Sequence, residues 1–265
     1  MMRDRVRIGL YQVALAAAAL AAWECVGRIS AFWRFLIGTP TAVAREFWNL
    51  LTLYSLWDHF MVTGSEAVIG LCLGTLIGSV GGLLLWYSDT AARVARPFVL
   101  AFGSMPIFAF APLLIVWFGV GFGMKVALAA FSTVFVAFNQ GYRGATLVAG
   151  DYLDTLRGMN AQRSQIFRKV IVPGSIEWVL ASMRLNIGFG LLGAFIGEFI
   201  ASDRGLGYLM LRASGVYNVP RALAAGIGII LLAVGLDAVG RTIERKRFLL
   251  VQLISVPRIL WSRWQ

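Results

Sequence analysis

Six stretches of apolar sequence, near 8–27, 60–87, 98–120, 125–142, 176–201 and 222–239, leave this chain few ways to fold. A helix needs roughly 20 residues to cross a ~30 Å hydrocarbon core, and in lipid every backbone polar group must be bonded internally. The expected fold is therefore all-α, a polytopic membrane protein of about six transmembrane helices. Only 14% of the 265 residues are charged and 59% are hydrophobic, too apolar a balance for an ordinary soluble domain.

The formal charge of +11 does not point to nucleic acid, because the basic residues are dispersed between apolar runs instead of gathered on one polar domain. Topology explains them better. If the N-terminus, 93–96, 143–169 and 241–265 lie inside, these segments hold 16 of the 24 lysines and arginines. The positive-inside rule then places both termini and the 143–169 connection in the cytoplasm. A single histidine, His59, excludes a His-based metal cluster or triad, and no metal is expected. Cys25 and Cys72 sit inside apolar runs and read as packing residues. No G-x-x-x-x-G-K-[ST] occurs, so the chain carries no nucleotide-hydrolysing loop of its own. It is expected to be no enzyme and to have no catalytic residues.

In chain order, Arg3, Arg5 and Arg7 precede the first span, which is expected to remain as a membrane helix. The external connection 28–59 holds an amphipathic stretch opened by Pro40, with Val43, Phe47, Leu50 and Leu51 on one side. Trp33, Trp48 and Trp57 suit a membrane interface. In the second span Gly70, Gly74 and Gly78 recur every four positions, a ridge that favours close helix packing. The third span carries Pro106 and Pro112, each of which removes a helix hydrogen bond and can kink or open the helix onto a pathway. Met105, Pro106, Phe108 and Pro112 are therefore pathway or gate candidates, with Arg184, Asn186 and Glu198 of the fifth span. A charge at mid-bilayer costs at least about 2.5–3.5 kcal/mol, so Arg184, Glu198 and Asp237 should face protein or water. Arg184 could supply charge to an anion site; it also lies near enough to its helix end to snorkel, and the structural role is preferred.

The stretch 150–175, GDYLDTLRGMNAQRSQIFRKVIVPGS, is polar and basic between two apolar runs and long enough for two short helices. Asp151 can cap the first, Gly158 and Asn160 can stop it, and Asn160 can cap the second. Ile166 with Val170 and Phe167 with Ile171 fall at i, i+4, and Pro173-Gly174 is expected to end the run. A compact, partly apolar knob held out of the bilayer suits a partner; a solvated loop that only sets topology fits the same periodicity.

This segment resembles the cytoplasmic EAA loop of permease subunits in bacterial ATP-binding-cassette importers. Asp154-Thr155-Leu156 stands where that pattern has an acid and two alanines, Asn160 where it has a glycine, and Val170-Ile171-Val172-Pro173 matches its close. The run Pro112-Leu113-Leu114-Ile115-Val116-Trp117-Phe118-Gly119 is similar to the third-to-fourth-helix region of nitrate, sulfonate and taurine importers. So are Met183-Arg184-Leu185, Gly197-Glu198-Phe199-Ile200-Ala201-Ser202 and Arg204-Gly205-Leu206-Gly207-Tyr208-Leu209.

The resemblance implies a permease domain over 1–247, a coupling loop at 150–175 and a cytoplasmic tail at 248–265. It implies ATPase coupling through Asp154, Thr155, Leu156, Asn160, Arg163, Ile166, Phe167, Val170, Val172 and Pro173. It also implies two cytoplasmic ATPase subunits that bind the ATP, a second permease copy, a periplasmic solute-binding protein and a lipid surround. The solute would be a small organic or inorganic anion. A secondary transporter or channel working without an ATPase would share the helical, positive-inside pattern. A membrane-embedded enzyme would need more polar residues at one depth than the spans offer.

Overall fold

The computed structural model describes residues 2–254, and for 2–6, 149–155, 157 and 243–254 it describes the backbone alone. The last residues of the 248–265 tail therefore lie outside the described residues, as do the side chains of Asp151, Asp154 and Thr155. The described chain is helical: α1 (Met2–Ile29), α2 (Ala31–Ile37), α3 (Pro40–Leu53), α4 (Leu56–Leu84), α5 (Asp89–Ser104), α6 (Ala111–Phe118), α7 (Phe122–Gly158), α8 (Arg163–Ile166), α9 (Val172–Ile200), α10 (Leu206–Gly215) and α11 (Val219–Ile254). Among the described residues five helical segments are long and apolar enough to cross a membrane, and a sixth candidate is a bent pair, Asp89–Ser104 with Ile107–Phe118.

That bent pair refines the expected third span. Its two arms meet at 96°, and the break lies at Met105 and Pro106, where extended backbone leads into a 3-10 turn over Ile107–Phe110. Pro112 causes no kink. It sits in the first turn of α6, where a missing N–H costs nothing because that donor has no intrahelical partner. Arg93 and Arg96, expected in a short loop, belong to α5 instead, which Ser88 caps by accepting from the Ala91 N–H.

The backbone divides into two compact units, one of 1–64 with 195–231, the other of 65–194 with 232–265. In the first unit Pro40 opens α3 at its first position, as the sequence suggests, and Thr39 caps it. Val43 and Leu50 are buried there, whereas Leu51 is exposed. Glu24 ties α1 to α3 by accepting from both the backbone N–H and the hydroxyl of Thr41, at 3.1 and 2.8 Å. Trp33, Trp48 and Trp57 are exposed, as interfacial anchors would be.

In the second unit the glycine ridge of α4 faces α7. A Cβ on Gly70 would press on Ala129, one on Gly74 on Thr133 and Ala130, and one on Gly78 on Val134. Small residues let these two backbones approach closely, which is how helices associate where lipid removes the hydrophobic drive. Asn186 of α9 stitches the same region: its Nδ2 donates to Thr75 Oγ1 and to the Thr133 carbonyl, each at 3.1 Å.

Candidate functional site

The 150–175 stretch is built differently from the two isolated helices its sequence suggests. The spanning helix α7 continues through Asp151 to Gly158, so Asp151 begins no helix. Beyond Val148, where the apolar span ends, about ten more residues carry α7 some 15 Å out of the apolar zone. Asn160 then takes left-handed backbone, φ 55°, to turn the chain. Gln162, not Asn160, caps α8, in a reciprocal capping box with Gln165.

Pro173-Gly174 does not end the run. A π-turn over Phe167–Ile171 joins α8 to α9, with the Val172 N–H donating to the Phe167 carbonyl, and Pro173 falls in the first turn of α9. A proline has no N–H for the carbonyl four residues back, and a widened turn just before it accommodates that loss. The knob is thus continuous with the fifth span, over Arg163–Ile200.

The apolar side of the knob is used within the chain. Ile166 and Ile171 are buried with Ala145, and Leu83, Trp86, Val148, Leu156 and Phe167 pack around them. Phe167 lies against Tyr87 and Trp86, with ring centroids 4.6 and 5.9 Å away, and the Arg163 guanidinium stands 5.4 Å from the Trp86 ring centre. Exposed on the other side are Met159, Asn160, Arg168, Lys169 and Pro173, with Val170 and Val172 half-buried between. Of the four residues that the i, i+4 periodicity groups, Ile166, Phe167 and Ile171 share this packed side and Val170 does not, because the π-turn over Phe167–Ile171 breaks the α-helical spacing.

The pathway candidates separate into two groups. Met105, Pro106, Phe108 and Pro112 are exposed on or beside the bend. Asn186 and Glu198 are fully buried and committed to bonds inside their own units. Arg184 stands 3.6 Å from Asp237, which also pairs with Arg241 at 3.0 Å.

Glu198 belongs to a cluster that sequence reasoning missed. Three consecutive N–H groups at the start of α10 are each accepted by a side chain from another helix. Gly205 donates to His59 Nδ1 at 2.9 Å, Leu206 to Thr63 Oγ1 at 2.9 Å and Gly207 to Glu198 Oε2 at 2.7 Å. Thr63 in turn donates to Glu198 Oε1 at 2.6 Å. These first-turn donors have no intrahelical partners and would otherwise be buried unpaired. Gly205, at φ 109°, is held where a Cβ would strike the Glu198 carboxylate. His59 and Thr63 lie four apart on α4, and that spacing beside an R-G-L-G turn was the only available signal. Thr63→Val should lower stability by about 1–3 kcal/mol, the cost of a buried unpaired donor, seen as a lower thermal midpoint in detergent.

The second unit contains a buried ion pair that sequence also left unpaired: Lys125 Nζ lies 2.6 Å from Glu66 Oε1, both nearly inaccessible. Among the described residues no group of His, Cys, Asp and Glu could hold a metal ion.

Apolar helices of spanning length, a helical knob continuous with two of them, and buried polar groups that fasten helices together define an integral membrane protein built of packed helices. Residues 70–248 match the family described as binding-protein-dependent transport system inner membrane component, and the chain belongs to that family. It is 31% identical to a probable ABC transporter permease protein of Haemophilus influenzae, over 78% of this chain and 83% of that one. It is 27% identical to a putative aliphatic sulfonates transport permease of Bacillus subtilis, over 88% and 84%. A riboflavin transport permease of Chloroflexus aurantiacus is 28% identical over 85% and 84%. Among solved structures, the inward-facing MetNI methionine ABC transporter shares the fold, with TM-score 0.65 at 17% identity over 73% of this chain and 96% of that one. The chain is thus a multi-pass inner-membrane permease subunit of an ABC transporter.

Proposed function

We propose that this chain forms half of a translocation pathway for a small organic or inorganic anion, the class to which the sulfonate permease relative is assigned by name. Two copies pair, each docked on one of two cytoplasmic ATPase subunits that bind the ATP, and a periplasmic binding protein delivers the solute. Both termini lie in the cytoplasm, as the charge distribution favours. ATP binding on the partner favours one conformational state of the permease pair over the other, and transport follows from that preference.

The observation that carries the reading is the knob: it seats its apolar side on α4 and α7 and leaves Met159, Asn160, Arg168 and Lys169 exposed. In this reading Ile166, Phe167 and Leu156 hold the loop in place, and the exposed residues meet the ATPase. Arg163 bridges the two roles by stacking on Trp86. The bend at Met105 and Pro106, with Phe108, faces the pathway.

Asn160→Pro tests this. Proline fixes φ near −65° and cannot adopt the left-handed turn at this position. The variant should insert and purify normally, yet retain at least tenfold less ATPase in a pull-down from mild detergent. Undiminished recovery of a Walker-motif ATPase would remove the coupling role. Solute movement by the purified chain alone in liposomes would support a secondary transporter instead.

A further inference from the structure

The second unit holds a cavity of about 410 Å³ between the middle of α5 and the part of α7 that leads toward the knob. Its size is that of a small-ligand site. Arg96 enters it from α5, and Arg143 and Tyr142 from α7, with Asn139 and Gln140 one turn earlier. No carboxylate lines it, and among the described residues neither guanidinium has an acidic partner within 4 Å. The Gln140 Oε1 atom is buried there without a hydrogen bond among the described residues. Two planar cations reaching one concavity from different helices form a fork suited to a tetrahedral oxyanion, and the orphaned amide oxygen is left for a hydroxyl, an amine or a water accompanying it.

We infer that this cavity is an oxyanion site that takes a sulfonate or phosphate group through Arg96 and Arg143. Its place on the cytoplasmic side, and a role in releasing transported solute, rest on the function proposed above; the binding chemistry does not. The anion could be a free solute or the headgroup of an acidic phospholipid, since both present the same oxygens.

The test uses the purified full-length chain in a neutral detergent, titrated calorimetrically with ethanesulfonate and with inorganic phosphate. Saturable binding is expected, weakened at least tenfold in Arg96→Gln and in Arg143→Gln, and unchanged in Arg93→Gln. Arg93 is exposed on the same helix but does not reach the cavity. Each variant is compared with the parent by gel-filtration profile, and both substituted side chains are exposed, so folding should hold. In a parallel arm, native mass spectrometry of chain extracted from phosphatidylglycerol-containing vesicles counts retained lipid. Lipid retention that depends on both arginines, without binding of free ethanesulfonate, would assign the site to a headgroup. Binding of free anion would assign it to solute. Absence of any arginine-dependent binding in either arm would overturn the site. None of these readouts needs the ATPase, so its loss in the pull-down and failure here are separate results.

Discussion

Lys125→Met is expected to leave a permease that inserts poorly and unfolds easily, with stability reduced by about 3–5 kcal/mol. The reason is what remains. Glu66 is fully buried on α4, and its carboxylate lies 2.6 Å from Lys125 Nζ. Removing the ammonium takes from this buried carboxylate its nearest counter-charge, which is far costlier than never having placed a pair there. The double variant Lys125→Met/Glu66→Leu separates these effects, because an apolar pair of similar volume often replaces a buried ion pair at little loss. We expect it to recover most of the thermal midpoint measured by fluorescence-detected gel filtration. A double variant as unstable as the single one would mean that the pair fixes helix register in a way that apolar contact cannot.

Gly74→Leu should be at least as damaging. A Cβ at this position meets the Thr133 hydroxyl and the Ala130 carbonyl of α7, and backbone atoms cannot step aside as a side-chain tip can. Ordinary overpacking costs about 1–3 kcal/mol; forcing two helix backbones apart exceeds it and also separates Asn186 from its bond to the Thr133 carbonyl. The expected outcome is little or no monodisperse protein after solubilisation. Gly226→Leu is the matching control, since nothing lies within 4 Å of a Cβ there. Comparable yields for the two variants would show that close approach of α4 and α7 is dispensable.

What could be read in the sequence was whatever repeats at short range. The period of four in Gly70, Gly74 and Gly78 identified a packing ridge before its partner was known, and the apolar character of Ile166, Phe167 and Ile171 marked the side that packs. Lengths of apolar run located the spans, because bilayer thickness sets them. Pairings across the chain were not legible: nothing local to Lys125 names Glu66, and nothing local to Gly205 names His59. Local signals also misled where their context was decisive. Pro173 looks like a helix end, yet in a first turn preceded by a π-turn it interrupts nothing. Asp151 looks like a cap, but a helix already in progress from Phe122 has no start at that point. In the sequence Arg96 and Arg143 read only as topology markers, since nothing local shows that two helices bring them into one cavity.

The uninterrupted path from the knob into the fifth span has a mechanical corollary. Beyond the π-turn, α9 runs unbroken from Val172 to Ile200, 29 residues or about 44 Å of helix. A tilt of about 5° imposed at one end of such a lever displaces the other by roughly 4 Å, with no hinge loop to absorb it. The break in regular α-helical geometry is the π-turn over Phe167–Ile171, placed where the chain leaves its aromatic packing on Trp86 and Tyr87. Under the coupling role proposed above, this segment would act as a torque arm whose stroke depends on how firmly Phe167 is held between Trp86 and Tyr87.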